Sequence, residues 1–297
     1  VTIKVEEKKN KLTDTQSSAD AREIPINRVG IKNIRHPVKI KSTGNNIQST
    51  VANFTMAVNL ADNIRGTHMS RFVDLLGQFD ILADIQSFKH LLQDTTKQLD
   101  SESGYIKINF PFFLKKSAPV TGVESMLDYE ATLTGEFKKG LYKIFLKVQA
   151  PVTSLCPCSK NISDYGAHNQ RSHVTVEIET TKDIWLEELV KLIEKHASCE
   201  VYGILKRPDE KYVTEKAYDN PKFVEDLVRD IALELNEDKR ISMYSIESEN
   251  FESIHNHSAY AYIEKDKRKD ISTTTRENIT FLDMSRIKAS SMSAKDK

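Results

Sequence analysis

The sequence predicts an α+β protein in which paired strands and paired helices follow one another as ββααββ, twice over. Two periodicities predict it. Stretches such as Gln48 to Leu60 alternate apolar and polar residues with many β-branched members, as half-buried strands do. Stretches such as Ile184 to Ala197 repeat their apolar residues at helical spacing. The third observation is order: strand-like stretches come in pairs around helical stretches that also come in pairs.

Residues 1–25 are rich in Lys, Glu, Thr, Ser and Asp without apolar periodicity, and read as a mobile arm outside the fold. A first unit, 26–138, opens with strands at Val29 to Ile40 and Gln48 to Leu60. Helices follow at Met69 to Gly77, where Phe72, Leu75 and Leu76 share a face, and at Ile81 to Leu99, where Ile81, Ile85, Phe88 and Leu92 do. Strands return at Tyr105 to Phe113 and Leu127 to Phe137, with turn signals at Thr134-Gly135 and Lys139-Gly140. A second unit, 139–265, repeats the order with strands at Tyr142 to Val152 and Ser172 to Thr180, helices at Ile184 to Ala197 and Pro221 to Leu235, and strands at Arg240 to Glu247 and Ser258 to Glu264. The helix at Pro221 is the best marked: Asn220 as its cap, Pro221 at its first position, and Phe223, Val224, Leu227, Val228, Ile231 and Leu235 as the buried stripe. Glu225 lies off that stripe. Residues 266–297 form a polar tail relieved only by Ile279 to Leu282.

Forty-three Lys and Arg balance 43 Asp and Glu, so the formal net charge is zero, which argues against nucleic-acid binding through bulk electrostatics. A local anion site is still compatible with that balance. Hydrophobic residues at 39% and charged residues at 29% describe a soluble globular chain, and no apolar run approaches the ~20 residues of a membrane span. The N-terminal Val1-Thr2-Ile3-Lys4-Val5-Glu6 lacks the apolar stretch of a secretory signal, so the cytoplasm is the expected compartment. Three cysteines do not make a disulfide framework, and a reducing compartment keeps them as thiols or metal ligands.

Three segments concentrate chemistry. In Cys156-Pro157-Cys158 the thiols are too close for a strain-free disulfide, and no second cysteine pair exists to complete a four-cysteine zinc site. A thiolate nonetheless ligates divalent ions well, and Ser163, Asp164, Tyr165, His168 and His173 follow closely; the bland alternative is a pair of buried structural cysteines. In Glu252-Ser253-Ile254-His255-Asn256-His257 the glutamate and His255 stand three apart, so shared ligation requires a turn or bulge between the flanking strands. The run Lys206-Arg207-Pro208-Asp209-Glu210-Lys211 reads first as a solvated loop, but its cations suit phosphate and Glu210 suits a metal or proton transfer. Cys199, at the end of a helical stretch, reads as packing. No Walker loop and no G-x-G-x-x-G is present, so those modes of nucleotide binding are excluded.

Thr153 to Lys160, continued by Ile162-Ser163-Asp164-Tyr165-Gly166-Ala167-His168-Asn169-Gln170-Arg171-Ser172, resembles the signature of GTP cyclohydrolase IB. So do Leu205 to Glu215, Glu252 to Ala259 and Arg65-Gly66-Thr67-His68-Met69-Ser70-Arg71-Phe72, and the resemblance spans roughly residues 25–265. It implies tandem tunnelling-fold units, each ββααββ with antiparallel sheet and helices on one face, assembled into a barrel by oligomerisation, with a homotetramer as the expected state. The implied activity is conversion of GTP and water to 7,8-dihydroneopterin triphosphate and formate, at the head of pterin and folate synthesis. A divalent metal is implied, manganese first with zinc or magnesium as alternatives, and no organic cofactor.

Carried onto this sequence, the resemblance gives Cys156, Glu210, Glu252 and His255 as the metal environment, with His168 close by, and Glu225 as the anchor of the guanine edge. Cys156, His168 and Glu210 form the expected catalytic set, His168 moving protons near neutral pH. Lys206, Arg207, Lys211, Arg65, Arg71 and His68 are the candidates for the triphosphate, chosen by charge. Cys158 is expected to support or pack. A nitrile reductase of the same fold, working through a cysteine thioimide, and a thiol or metal sensor are the rival readings.

Overall fold

The computed structural model describes residues 14–78, 81–82, 85–180 and 182–269. Strands β1 (Ile26–Lys41) and β2 (Ile47–Leu60) form a hairpin and lead to α1 (Met69–Gly77), the short β3 (Ile81–Leu82) and α2 (Ile85–Gln98). Then come β4 (Ser103–Ser117), β5 (Glu124–Lys138) and β6 (Leu141–Leu155), the short α3 (Pro157–Ile162) and β7 (Asn169–Thr180). The chain continues through α4 (Leu186–His196), β8 (Cys199–Glu200), α5 (Arg207–Asp219) and α6 (Val224–Glu237), and closes with β9 (Ile241–Asn250) and β10 (Ala259–Asp266).

Among the described residues all ten strands belong to one sheet, in the order β10-β9-β7-β6-β5-β4-β2-β1-β3, with β8 hydrogen-bonded to β6. Every pairing is antiparallel except that of β1 with β3. One register row runs across seven strands as Ile34, Phe54, Ile108, Leu133, Leu146, Ile178 and Tyr244. Because side chains alternate along each strand, that row and its neighbours two residues away point to one face. There they join a single core with Phe72 and Leu76 of α1, Phe88 and Leu92 of α2, Leu189 and Ile193 of α4, and Leu227, Val228 and Ile231 of α6. The helices therefore cover one face, and the other carries half-buried polar residues such as Lys107, Thr134, Gln149 and Glu177.

Several local features differ from expectation. Ile81–Leu82 is a strand because its backbone pairs with Lys39–Ile40 at the edge of β1, so the helix starts at Ile85. The last long helix starts at Val224, with Phe223 as its extended N-cap, and just before it the Lys222 N–H donates to Leu155 O at 3.1 Å. Asn220 instead closes α5, and its Nδ2 donates to Ala197 O at 2.9 Å. Helix α5 itself replaces the solvated loop, burying little more than Asp209 and Ala217. At the ends, residues 14–20, expected in an arm, lie against the 61–68 loop through Arg65 N to Ser18 O and Gly66 N to Gln16 O. Arg268 pairs with Glu179 at 2.9 Å, and Lys267 Nζ donates to Leu235 O and Asp238 O at the end of α6. Residues 1–13 and 270–297 of the two expected tails lie outside the described residues.

Helix α2 crosses β5 where Gly135 leaves no side chain; a Cβ there would overlap the Phe88 ring and stand 2.6 Å from Leu92 Cδ1. Both neighbours are completely buried and have nowhere to move. Gly135→Val is therefore expected to destabilise the protein by roughly 1–3 kcal/mol through overpacking. An unchanged urea midpoint in that variant would show that the helix can lift off the sheet at no cost.

Candidate functional site

The sheet register gathers the site. Leu155, the last residue of β6, pairs with Asn169, the first described as strand in β7, and Ser172 pairs with Asn250 at the end of β9. Cys156, His168 and Glu252 therefore leave three adjacent strands at the same end of the sheet. Cys156 is half-buried at the N-cap of α3, where the Ser159 N–H points at its sulfur at 3.5 Å and its own N–H donates to His168 O at 3.2 Å. His168 and Glu252 are largely covered, with side chains 14% and 13% exposed, and His168 Nδ1 stands 3.9 Å from Glu252 Oε2. Gln170 sits between them: its Oε1 is 2.9 Å from His168 Nδ1, and its Nε2 is 2.9 Å from Ser154 Oγ and 3.5 Å from Glu252 Oε1.

Two further expected residues flank this cluster. His255 is on the exposed 251–258 loop that the Glu-x-x-His spacing demanded, and its ring stacks on His257 at 5.1 Å. Glu225 is exposed in the first turn of α6, three residues beyond Lys222, whose N–H is bonded to the carbonyl immediately before Cys156. Glu210, Lys206, Arg207 and Lys211 are exposed at the start of α5, where Lys211 pairs with Glu215 at 2.8 Å. Arg65, His68 and Arg71 are elsewhere. They follow the end of β2, where Val58, Gly104, Phe137 and Tyr142 are in register, so the length of β6 separates them from Cys156. At ~3.3 Å per residue that is roughly 45 Å of strand. There His68 Nε2 meets Asp14 at 3.1 Å and Arg71 donates to Gln98 O at 3.0 Å. One chain thus brings together the ends that carry Cys156, His168 and Glu252, with Glu225 and His255 on the adjoining α6 start and 251–258 loop, and leaves the two basic groups apart.

Two cysteines behave differently from Cys156. Cys158 is exposed and α3 buries none of its residues, so Cys158 does not pack into this chain's core. Cys199 is 1% exposed beside Leu155 and Ala217, and burial, with Glu200 adjacent, pushes its thiol up to about 11. It is a packing residue, as expected.

One residue that sequence reasoning passed over is Asp209. Its carboxylate, fully buried, accepts from Val120 N, Thr121 N, Thr121 Oγ1 and Lys206 N at 2.7–2.9 Å. It thereby caps α5 and ties it to the β4–β5 hairpin, fixing where Lys206, Arg207 and Glu210 are presented. The available signal was Asp three residues after Lys206, with Pro208 in the first turn. Burial alone would raise its pKa, but the Thr121 hydroxyl and the three backbone N–H groups outweigh it and hold the carboxyl below the usual range.

Among the described residues no three His, Cys, Asp or Glu side chains close into a ready metal cage. The donor set around Cys156 is nonetheless the chemistry a divalent ion takes: a thiol, a carboxylate and an imidazole, largely shielded from water on adjacent strand ends.

The sequence is similar to known proteins over most of its length. The family model for type I GTP cyclohydrolase FolE2 matches residues 12–261. GTP cyclohydrolase FolE2 of Methylobacillus flagellatus is 59% identical over 258 residues, covering 87% of this chain and 97% of the relative. That of Azoarcus sp. strain BH72 is 58% identical, covering 86% and 96%. Among solved structures, uricase from Arthrobacter globiformis aligns over 80% of this chain and 92% of its own at 12% identity and a TM-score of 0.44. An α+β protein with a thiol, imidazole and carboxylate gathered at one sheet end is the class that the fold and site define. The chain belongs to the type I GTP cyclohydrolase FolE2 family.

Asp209→Ala is expected to lower stability at neutral pH. Because the folded carboxyl is held below its ordinary value, the contribution is present above about pH 4 and lost as pH falls towards the folded value. The gap between wild-type and variant urea midpoints should therefore narrow in acid. Equal midpoints at neutral pH would remove the capping role.

Proposed function

We propose that the chain converts GTP and water to 7,8-dihydroneopterin triphosphate and formate, at the head of pterin and folate synthesis, and that it does so at the Cys156 end of the sheet. The observation that carries this reading is the convergence of Cys156, His168 and Glu252 on three adjacent strand ends, within a chain of this family. The nitrile-reductase and sensor readings account for neither the family nor the carboxylate beside the imidazole.

In the proposed site Cys156, Glu210, Glu252 and His255 would hold a divalent ion, manganese first with zinc or magnesium as alternatives. When bound, such an ion supplies the Lewis acidity that activates water near neutral pH for attack at C8 of the purine. No organic cofactor is required. His168 moves the protons that ring opening demands, and its cover beside Glu252 and Gln170 keeps that transfer out of bulk water. Glu225 accepts from the ring N–H and exocyclic amine of guanine, a bidentate contact whose loss leaves buried groups unpaired.

Lys206, Arg207 and Lys211 hold the triphosphate from one chain. Arg65, His68 and Arg71 serve the site of another copy, since roughly 45 Å of strand removes them from their own. This assembly is a homotetramer of tunnelling-fold units, 26–138 and 139–265 in each chain. Its support is that the outer edge of β10 has no strand partner among the described residues and that β1 has only the two-residue β3 outside it. The working compartment is the cytoplasm; no helix among the described residues is long and apolar enough to cross a membrane.

Metal-supplemented protein incubated with GTP is expected to release formate and a pterin that fluoresces after oxidation, and Cys156→Ala to lose at least about a hundredfold in turnover while keeping its unfolding midpoint. Absence of both products with manganese, zinc and magnesium would falsify the reading. Glu225→Gln is expected to weaken GTP binding by on the order of tenfold or more with metal binding retained. Equal affinity in a GTP titration would remove the guanine anchor.

A further inference from the structure

We infer that Gln170 is a positioning residue of this site: its side-chain amide sets the tautomer and orientation of His168 with its oxygen while steadying Glu252 with its nitrogen. The inference rests on the cyclohydrolase reading for its kinetic consequence but not for its geometry.

Gln170 is the second residue of β7, directly opposite Ser154 of β6, and only 8% exposed. Its amide has one acceptor end and one donor end, and the surroundings fix which is which. Glu252 accepts only, so the end 3.5 Å from Glu252 Oε1 is the NH2, which also donates to Ser154 Oγ at 2.9 Å. The carbonyl oxygen then faces His168 Nδ1 at 2.9 Å. A neutral imidazole can satisfy that oxygen only by carrying its proton on Nδ1, which leaves Nε2 bare. Two other acceptors approach the same nitrogen less closely: Ser253 Oγ at 3.5 Å and Glu252 Oε2 at 3.9 Å, the latter beyond hydrogen-bond reach. The backbone reinforces the ring's placement, because His168 N donates to Ser159 Oγ at 3.3 Å and His168 O accepts from Cys156 N at 3.2 Å.

The consequence is a division of labour. Nδ1 is spent on the protein and Nε2 is the nitrogen left for the reacting molecule, so His168 meets it as a proton acceptor. The same amide holds the Glu252 carboxylate from the opposite side, so one side chain orients an imidazole and a carboxylate through one rigid plane. Nothing in a sequence pattern marks it, since a glutamine at the start of a strand is ordinarily a solvated residue.

The test uses the full chain labelled with 15N-histidine, the His168 signals being assigned by their loss in His168→Asn. Wild-type His168 is expected to carry its proton on Nδ1. In Gln170→Met, which keeps the volume and removes both ends of the amide, a mixture of tautomers should appear. With GTP, kcat should fall roughly tenfold to a hundredfold while KM stays within about twofold, as for loss of an orienting partner rather than of a substrate contact. Gln170→Glu keeps an oxygen towards Nδ1 and should keep the tautomer, yet lose turnover because a second carboxylate then faces Glu252. A wild-type proton on Nε2 overturns the inference, as does Gln170→Met with unchanged kcat or an unchanged pure Nδ1–H tautomer. Should Gln170→Met fail to fold, the wild-type tautomer and Ser154→Ala decide, the latter expected to lower kcat less than severalfold with KM retained; a wild-type kcat there overturns the support assigned to Ser154. Failure of wild-type protein to release formate from GTP defeats the cyclohydrolase reading alone, and the tautomer still judges Gln170.

Discussion

The antiparallel register that runs through β5, β6, β7 and β9, and holds from Ser172 to Glu179 before a shift at Thr180, is the constraint on which the rest depends. A slip of one residue in any of these pairings would turn Leu133, Leu146, Ile178 and Tyr244 away from the helices. It would also move the strand ends relative to one another, and with them Cys156, His168 and Glu252. The apolar row in mid-sheet and the polar cluster at the sheet end are thus one geometric fact. Core burial fixes the register, and the register carries that precision about ten residues along β6 to the site.

At the site end several polar groups are satisfied locally rather than by the core, while the buried Ser172 Oγ, Ser248 Oγ and Asn250 Oδ1 on the strand ends have no hydrogen-bond partner among the described residues. Gln170 and Ser154 satisfy each other, Leu155 N donates to the buried Ser198 Oγ, and Asp209 takes four donors from two separate segments. Each of these joins pieces distant in sequence. A buried group so partnered offsets its desolvation, whereas removing one partner exposes the full penalty on the other. That asymmetry makes the loops over the sheet end specific in shape even though α3 buries none of its residues and α5 buries few.

Legibility in the sequence followed apolar periodicity closely. Met69–Gly77 could be bounded to the residue, and each long strand was found within a few residues of its ends, because a half-buried strand and an amphipathic helix write their faces into every second or every third and fourth position. Helix α5 escaped because its fold-facing residues are Asp209, Val213 and Ala217, which make no apolar stripe. The start of α6 was misplaced for a related reason. Asn220 and Pro221 are ordinary start signals, yet Asn220 closes α5 and Lys222 N donates to Leu155 O, 67 positions away, so the helix begins only at Val224. Of the candidate site, Cys156, His168 and Glu252 were legible as residue types within recognisable segments. Asp209 and Gln170 were not, since their roles lie in partners that only the fold brings near.

Charge closes the account of the site. A triphosphate asks for several cations, yet the chain has no net positive charge to draw it in, so the cations must be concentrated. The structure presents them in two groups at opposite ends of a long sheet, one on the Asp209-capped start of α5 and one around the 61–68 loop. Both groups are pinned: the first by the buried carboxylate, the second by residues 14–20 laid against the loop and by Arg71 bonded to Gln98 O. Pinned groups so far apart within a chain do not meet by side-chain rearrangement, because a rotamer change moves a guanidinium by several ångströms, not by the length of a strand. If both serve one ligand, the second group comes from a neighbouring copy, and assembly becomes part of substrate binding rather than an addition to it.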